Sequence, residues 1–290
     1  MVQKFGHTVS WGEAAPLLQH KIGGAVIKNL AVRLGTAGKT VDIPQLGKDL
    51  GQTIKMTNPS LEALQLGKLT AEKYWEDVQG TLAKLTGVML TPEELQACWR
   101  QGYTTFNDFF PCLNAMIEFN KKENQRLVIV TQTTSMDADY YKAQFMENMP
   151  ALEKITPKGI QPLCFNENGD VTEICGVPFL QSIVHGKTKL DLIREGQKLC
   201  VEKPKYPARL LASQSVELPD FYHVLGKNNI SRDDAYTLLR EKLDDEHKEI
   251  EDADRIQTII VSSKEELLGV FTDPVASLEL PHGLMRTSAM

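Results

Sequence analysis

Small polar residues follow a buried strand in the middle of the chain. The run Leu127–Thr131 holds only apolar or β-branched residues, without polar alternation, which is typical of a strand buried on both faces. Gln132, Thr133 and Thr134 come next and lead into an amphipathic stretch. Because ligands bind where strands end in open α/β sheets, we predict that these polar groups face a crevice. The alternative is that the hydroxyls only cap the following helix.

Other catalytic motifs are incomplete. The segment Gly35–Thr40 ends in Gly-Lys-Thr, but a phosphate-binding loop also needs a glycine five positions before Gly38, where Arg33 stands. The histidines form no HxH or HExxH pattern and no pairing with cysteine, so no zinc site is predicted. No GxSxG nucleophile motif occurs. A Cys–His pair that meets only in the folded chain stays open.

Composition excludes several classes of protein. The 290 residues are 42% hydrophobic and 24% charged, which suits one large globular domain or two small ones. The net charge is −6 without a basic cluster, so no nucleic-acid partner is predicted. No apolar run approaches the roughly 20 residues of a membrane span. The N-terminus lacks a signal-peptide pattern and the cysteines are scattered, so we predict a cytoplasmic protein, with secretion by a route without a signal peptide left open.

Alternating apolar runs and helical patterns predict the fold class. Four runs suit buried strands: 25–35, 127–131, 208–213 and 256–263. Such alternation predicts an α/β protein with a doubly wound, mostly parallel sheet. Between the first two runs, residues 43–115 are predicted to be helical, with Thr70 and Thr91 at helix starts.

Two segments complete the predicted organisation. Ser10 and Glu13 have capping-box spacing, which predicts a short helix, Ser10–Lys21. The segment 155–205 is predicted to be an insertion, with two short strands around a glycine turn and then a helix. The predicted parts are an N-terminal extension (1–24), an α/β core (25–42 and 116–275), a helical segment (43–115) and a loose tail (276–290).

The order of these segments resembles the haloacid dehalogenase (HAD) superfamily of aspartate-nucleophile phosphatases. VIKNLAVRLG is similar to the family's first strand, and RLVIVTQTT is similar to its second motif, a strand ending in Ser or Thr. GKLTAEKYWEDV and LTPEELQACW resemble its helical cap. IIVSSKEELLGVF resembles its last motif, which normally ends in paired aspartates. The resemblance spans roughly residues 25–275 and implies a HAD-like Rossmannoid core.

The chain departs from the family at the positions of its acids. The resemblance places Arg33 at the nucleophile, Gly35 at the second aspartate, and Ser262 and Ser263 at the metal-binding acids. Among these positions, only the hydroxyl of the family's second motif is retained, as Thr131. Lys227 is a possible match for the family's lysine, and Lys187 and Lys189 are weaker candidates. The resemblance thus implies this ligand-binding set: Arg33, Gly35, Thr131, Gln132, Lys227, Ser262 and Ser263.

These departures imply a pseudoenzyme. Phosphoryl transfer in this family needs a carboxylate nucleophile and carboxylates that hold Mg²⁺. A guanidinium cannot attack and repels a cation, and serines are weak Mg²⁺ ligands. We therefore predict no catalytic residue, no metal ligand and no cofactor. Arg33, Thr131 and backbone N–H groups could seat an anion; alternatively, Arg33 forms an internal ion pair with Asp42 or an acidic helix.

Two further hypotheses about the function stay open. The chain could be an active phosphatase with a displaced nucleophile such as Asp42, in which case Mg²⁺ would be its cofactor. A protein partner could instead dock on the 155–205 insertion or on the acidic helix whose tail covers 244–254. We predict binding of such a partner, or of an anion in the crevice, as the function.

Overall fold

A computed structural model describes these residues: 8–11, 22–36, 38, 42, 44–46, 48–49, 58–101, 103, 105–121, 126–188, 191–192, 195–196, 199, 221–226, 256–261 and 264–272. Its strands are β1 (Thr8–Trp11), β2 (Arg126–Thr131), β3 (Leu163–Phe165), β4 (Val171–Ile174), β5 (Val177–Gln181), β6 (Phe221–Gly226) and β7 (Ile256–Val261). Its helices are α1 (Ile22–Thr36), α2 (Asn58–Gln65), α3 (Ala71–Thr86), α4 (Pro92–Arg100), α5 (Phe106–Lys121), α6 (Ser135–Glu147), α7 (Met149–Ile155), α8 (Ser182–His185) and α9 (Lys264–Thr272). Within these ranges, every helix is too short or too polar to span a bilayer.

The strands form one mixed sheet in the order β3-β4-β5-β2-β1-β6-β7. The neighbours from β5 to β7 run parallel, whereas β3, β4 and β5 pair antiparallel. Trp11 of β1 lies opposite Ile129 of β2, and Thr131 lies opposite Gln181 of β5. The predicted mixed α/β class is confirmed, and the doubly wound arrangement stays a prediction.

Strand β2 is buried as its sequence predicts. Leu127, Val128, Ile129 and Val130 are all at most 2% exposed. Leu127 and Ile129 belong to a large core that also includes residues of α5, α6, β5 and α9. Side chains alternate between the two faces of a strand, and β2 has no polar alternation because both faces are covered.

The predicted strand over 25–35 is wrong, because this run is helix α1. Leu30 and Leu34, four positions apart, are buried, whereas Lys28 and Arg33 are exposed. That spacing is the 3.6-residue period of an amphipathic helix. An apolar run with three polar interruptions fits either structure, so its composition alone does not distinguish a strand from a helix.

The predicted N-terminal helix is also wrong at its start. Ser10 and Trp11 belong to β1, which pairs with β2 on one side and β6 on the other. The rest of that predicted helix lies outside the described residues. The spacing of Ser10 and Glu13 therefore did not mark a helix start, because a four-residue central strand occupies the position.

Helices α1–α4 share a second core and form what we call the helical layer. Thr70 accepts a hydrogen bond from Lys73 N at 3.3 Å, and Thr91 and Glu94 form a reciprocal capping box, as predicted. Such caps satisfy backbone N–H groups that a helix start leaves open. Met136 of α6 joins this core, which consists of Leu30, Leu34, Leu64, Tyr74, Trp75, Val78, Leu82, Leu90, Leu95, Cys98 and Met136.

The two strands predicted around a glycine turn are β4 and β5. Cys175 and Gly176 form the turn with φ angles of 51° and 82°. Both values lie in the left-handed region, which glycine enters without steric cost. The structure adds that β5 pairs with β2 in the main sheet. The predicted run 208–213, the acidic helix and the tail lie outside the described residues.

Candidate ligand site at the carboxyl ends of β2 and β5

Buried polar side chains gather in one place in the described part of the chain. Every buried polar or charged residue there lies at the carboxyl end of β2, at the carboxyl end of β5 or in the first turn of α6 or α8. Burying polar groups is unfavourable unless they are hydrogen-bonded, so such a cluster requires an explanation. The members are Thr131, Thr133, Thr134, Asp137, Gln181 and Ser182.

Two strand ends are joined by hydrogen bonds beyond the sheet. Ser182 Oγ accepts from Thr133 N at 2.9 Å and donates to Thr133 O at 3.0 Å. Thr131 lies opposite Gln181 in the register. In a parallel pair, residues in register face the same side of the sheet. Thr131 and Gln181 therefore share one face at the edge where the two strands end.

Among the residues that the structure describes, three buried side-chain atoms of this region lack a hydrogen-bond partner. They are Thr133 Oγ1, Gln181 Oε1 and His185 Nε2. Thr133 and Gln181 are 0% and 1% exposed. The amide Nε2 of Gln181 donates to Val171 O at 3.1 Å, so Oε1 is the atom left over. These three groups are the candidate ligand contacts of the site.

His185 closes the one-turn helix α8 beside these groups. Burial lowers its pKa below the usual 6.5, Glu195 raises it and Lys187 lowers it. Lys187 and Glu195 form an ion pair with each other. At neutral pH the His185 ring is therefore uncharged.

Asp137 is a buried carboxylate in the first turn of α6. Its Oδ2 accepts from Thr134 N at 2.7 Å, and its own N–H donates to Thr134 Oγ1 at 3.3 Å. Its Oδ1 accepts from Tyr103 Oη and, at 3.2 Å, from Trp99 Nε1. Burial raises the pKa of Asp137, while these hydrogen bonds lower it. Sequence reasoning missed this residue, although the spacing of Thr134 and Asp137 is that of a capping box with Asp in place of Glu.

The helical layer reaches α6 and α8 at this edge of the sheet. Trp75 Nε1 donates to Met136 Sδ at 3.2 Å, and the Trp75 and Trp99 rings meet edge to face at 5.5 Å. A Cβ at Gly67, just after α2, would lie 3.3 Å from Ile183 Cδ1 of α8. The layer thus contacts the elements that follow both β2 and β5.

Four of the seven predicted site residues lie in the part of the chain that the structure describes, on two different elements. Arg33 and Gly35 lie on α1 rather than at a strand end, and Arg33 forms an ion pair with Glu94. Arg33 therefore forms an ion pair within the chain, which was the alternative prediction, but its partner is Glu94 rather than Asp42. Thr131 is buried at the end of β2, and Gln132 beside it is exposed. The remaining members, Lys227, Ser262 and Ser263, lie outside the described residues.

Asp42, the predicted displaced nucleophile, is exposed. Its Oδ1 accepts from Gln45 N at 3.1 Å, as a helix cap does. Among the residues that the structure describes, no three of His, Cys, Asp or Glu are grouped to hold a metal ion. The predicted lack of a cofactor stays a prediction.

Comparison of the chain with known family models, curated proteins and solved structures gives no match. The hypothesis about function therefore depends on the residues of the site.

Proposed function

We propose that the chain is a HAD-like pseudoenzyme that binds a small polar ligand where β2 and β5 end. Two features support the resemblance: Thr131 ends a buried parallel strand, as in the family's second motif, and a helical layer precedes that strand. The carboxyl ends of parallel strands are the usual ligand site in α/β sheets.

The observation that carries the proposal is the pair of unpartnered atoms Thr133 Oγ1 and Gln181 Oε1. A buried polar atom without a hydrogen bond costs about 1–3 kcal/mol. Two such atoms on neighbouring strand ends are explained if a bound molecule completes their hydrogen bonds. The helical layer would then cover the ligand.

Asp137, rather than Arg33, supports the proposed lack of phosphatase activity. Arg33 lies on a helix, so it no longer supports the loss of a nucleophile. Asp137 is the buried acid of the described site, and both its oxygens already accept hydrogen bonds from Thr134, Trp99 and Tyr103. A carboxylate held in this way is poorly placed to attack phosphorus.

Ligand binding is tested by thermal-shift screening followed by calorimetry of each hit. Hits should lose affinity in Thr133→Val and Gln181→Leu, which remove the two unpartnered atoms. The control is Thr272→Val, the same change at the exposed end of α9, which should bind like the wild type. Hits that bind both site variants unchanged would place the ligand elsewhere and overturn the proposal.

The catalytic alternative is tested with a panel of phosphoesters in the presence of Mg²⁺. The variants are Thr131→Ala, Asp42→Asn and Glu13→Gln; Glu13 is the first acid after Trp11 in the sequence. We expect no turnover by the wild type. If the wild type shows turnover and one of these variants abolishes it, the chain is an active phosphatase.

Binding of a protein partner is a second candidate function. Ile160 and Phe165 are 46% and 42% exposed on the hairpin side of the sheet, where β3 is the terminal strand. Because β5 belongs to the main sheet, deletion of the whole 155–205 segment would disrupt the fold. Ile160→Lys with Phe165→Lys is the cleaner test, and loss of partner capture with an unchanged melting temperature would favour this function.

A further inference from the structure

We infer that the strand-end site takes an uncharged ligand rich in hydroxyl groups, such as a polyol or sugar, rather than a phosphorylated one. The inference depends on the proposed function and specifies the chemistry of its ligand. It follows from the unpartnered acceptor atom of Gln181 and from the charges beside the site.

Gln181 requires a ligand that donates a hydrogen bond. Its Nε2 is occupied by Val171 O, so the atom that faces no partner is the acceptor Oε1. A fully ionised phosphate or carboxylate offers only acceptors and would leave Oε1 unsatisfied. A hydroxyl group can donate to Oε1, and a second hydroxyl can either donate to Thr133 Oγ1 or accept from it.

The charge of the site also disfavours an anion. A helix N-terminus attracts anions, but α6 already has the carboxylate of Asp137 in its first turn, with Oδ2 on Thr134 N. A second negative charge nearby would be repelled in this buried setting. The cation closest in sequence to the β5 end, Lys187, is ion-paired with Glu195.

His185 gives no compensating positive charge. It is neutral at neutral pH, because burial lowers its pKa below 6.5. A neutral imidazole can donate or accept through Nε2, which suits a hydroxyl group. All three unpartnered atoms are thus neutral hydrogen-bonding groups.

Matched pairs of probes that differ only in a phosphate test the inference. We suggest calorimetry of the full chain with myo-inositol and inositol 1-phosphate, and with glucose and glucose 6-phosphate. The uncharged member of at least one pair should bind more tightly, and Gln181→Leu should lower its affinity by about tenfold. Thr272→Val again serves as the control.

Other outcomes separate this inference from the proposed function. Tighter binding of the phosphorylated member, with loss in Gln181→Leu and Thr133→Val, would overturn the inference and keep the ligand site. No binding of any probe or screened compound would overturn both. Equal binding by the wild type and both site variants would also overturn both, because the ligand would then contact other residues.

Discussion

Tyr103 donates a hydrogen bond from its phenolic oxygen to Oδ1 of the buried Asp137. Tyr103 follows α4 of the helical layer, and Asp137 lies in the first turn of α6, so the bond joins the layer to the element after β2. Trp99 Nε1 reaches both partners, at 2.7 Å from Tyr103 Oη and 3.2 Å from Asp137 Oδ1. The carboxylate thus accepts hydrogen bonds from Trp99 in the helical layer and from Tyr103 just after it.

Tyr103→Phe should destabilise the fold by about 2 kcal/mol, because hydrogen bonds to a charged group contribute about 1.5–3 kcal/mol. The substitution keeps the aromatic ring that stacks on Tyr140 at 4.2 Å. Urea unfolding followed by circular dichroism measures the change. The control is the same substitution in an Asp137→Asn background. If the free-energy changes of the two single substitutions add up to that of the double variant within about 0.5 kcal/mol, a direct interaction is contradicted.

The stability that Asp137 contributes should decrease as the pH rises. Burial raises its folded-state pKa above the ordinary 3.8, so the folded protein holds this proton up to a higher pH than the unfolded chain does. For an acid shifted upward, stability is present below the unfolded pKa and is lost as the pH rises through the folded pKa. The free energy of unfolding of the wild type minus that of Asp137→Asn should therefore fall between pH values below 3.8 and neutrality. A difference that stays level or rises would mean that hydrogen bonds outweigh burial.

The parts of the fold with local signals could be predicted from the sequence. The caps at Thr70 and Thr91 depend on side chains three residues apart, and the burial of β2 depends on its own composition. The turn at Gly176 likewise follows from its neighbours. These features need no knowledge of the rest of the chain.

Features that depend on distant residues could not be predicted. Strand β1 has only four residues and is defined by pairing with β2 and β6. The apolar residues of 25–35 fit either a strand or a helix, and this run forms α1, which packs against the other helices of the helical layer. The contact of Tyr103 with Asp137 joins residues 34 positions apart, and only the capping-box spacing of Asp137 was visible in the sequence.

Arg33→Gln should leave ligand binding unchanged. The Arg33 side chain is 44% exposed and its ion pair with Glu94 joins α1 to α4, so its loss should cost less than about 1 kcal/mol. Glu94→Gln provides a useful comparison, because Glu94 Oε2 also accepts from Thr91 N at 2.8 Å. Calorimetry with any confirmed ligand and urea unfolding measure the two effects. A loss of affinity in Arg33→Gln would restore Arg33 to the binding site.

Thr133→Val should make the ligand-free protein more stable while it weakens binding. Valine has nearly the shape of threonine and removes a hydroxyl that is 0% exposed without a hydrogen-bond partner. An unsatisfied buried polar group costs about 1–3 kcal/mol, so its removal should raise the free energy of unfolding by about 1 kcal/mol. Such opposite changes in stability and function are expected where a site is built to meet a ligand.

Thr133→Ser is the matched control, because it keeps the hydroxyl and loses only a methyl group. It should bind ligand and should be somewhat less stable than the wild type. Thermal unfolding with and without ligand compares both variants under the same conditions. If Thr133→Val is instead destabilised by about 1–2 kcal/mol without ligand, the hydroxyl already has a partner in the free protein. The cluster at the ends of β2 and β5 would then stabilise the fold, and its buried polar groups would no longer argue for a ligand.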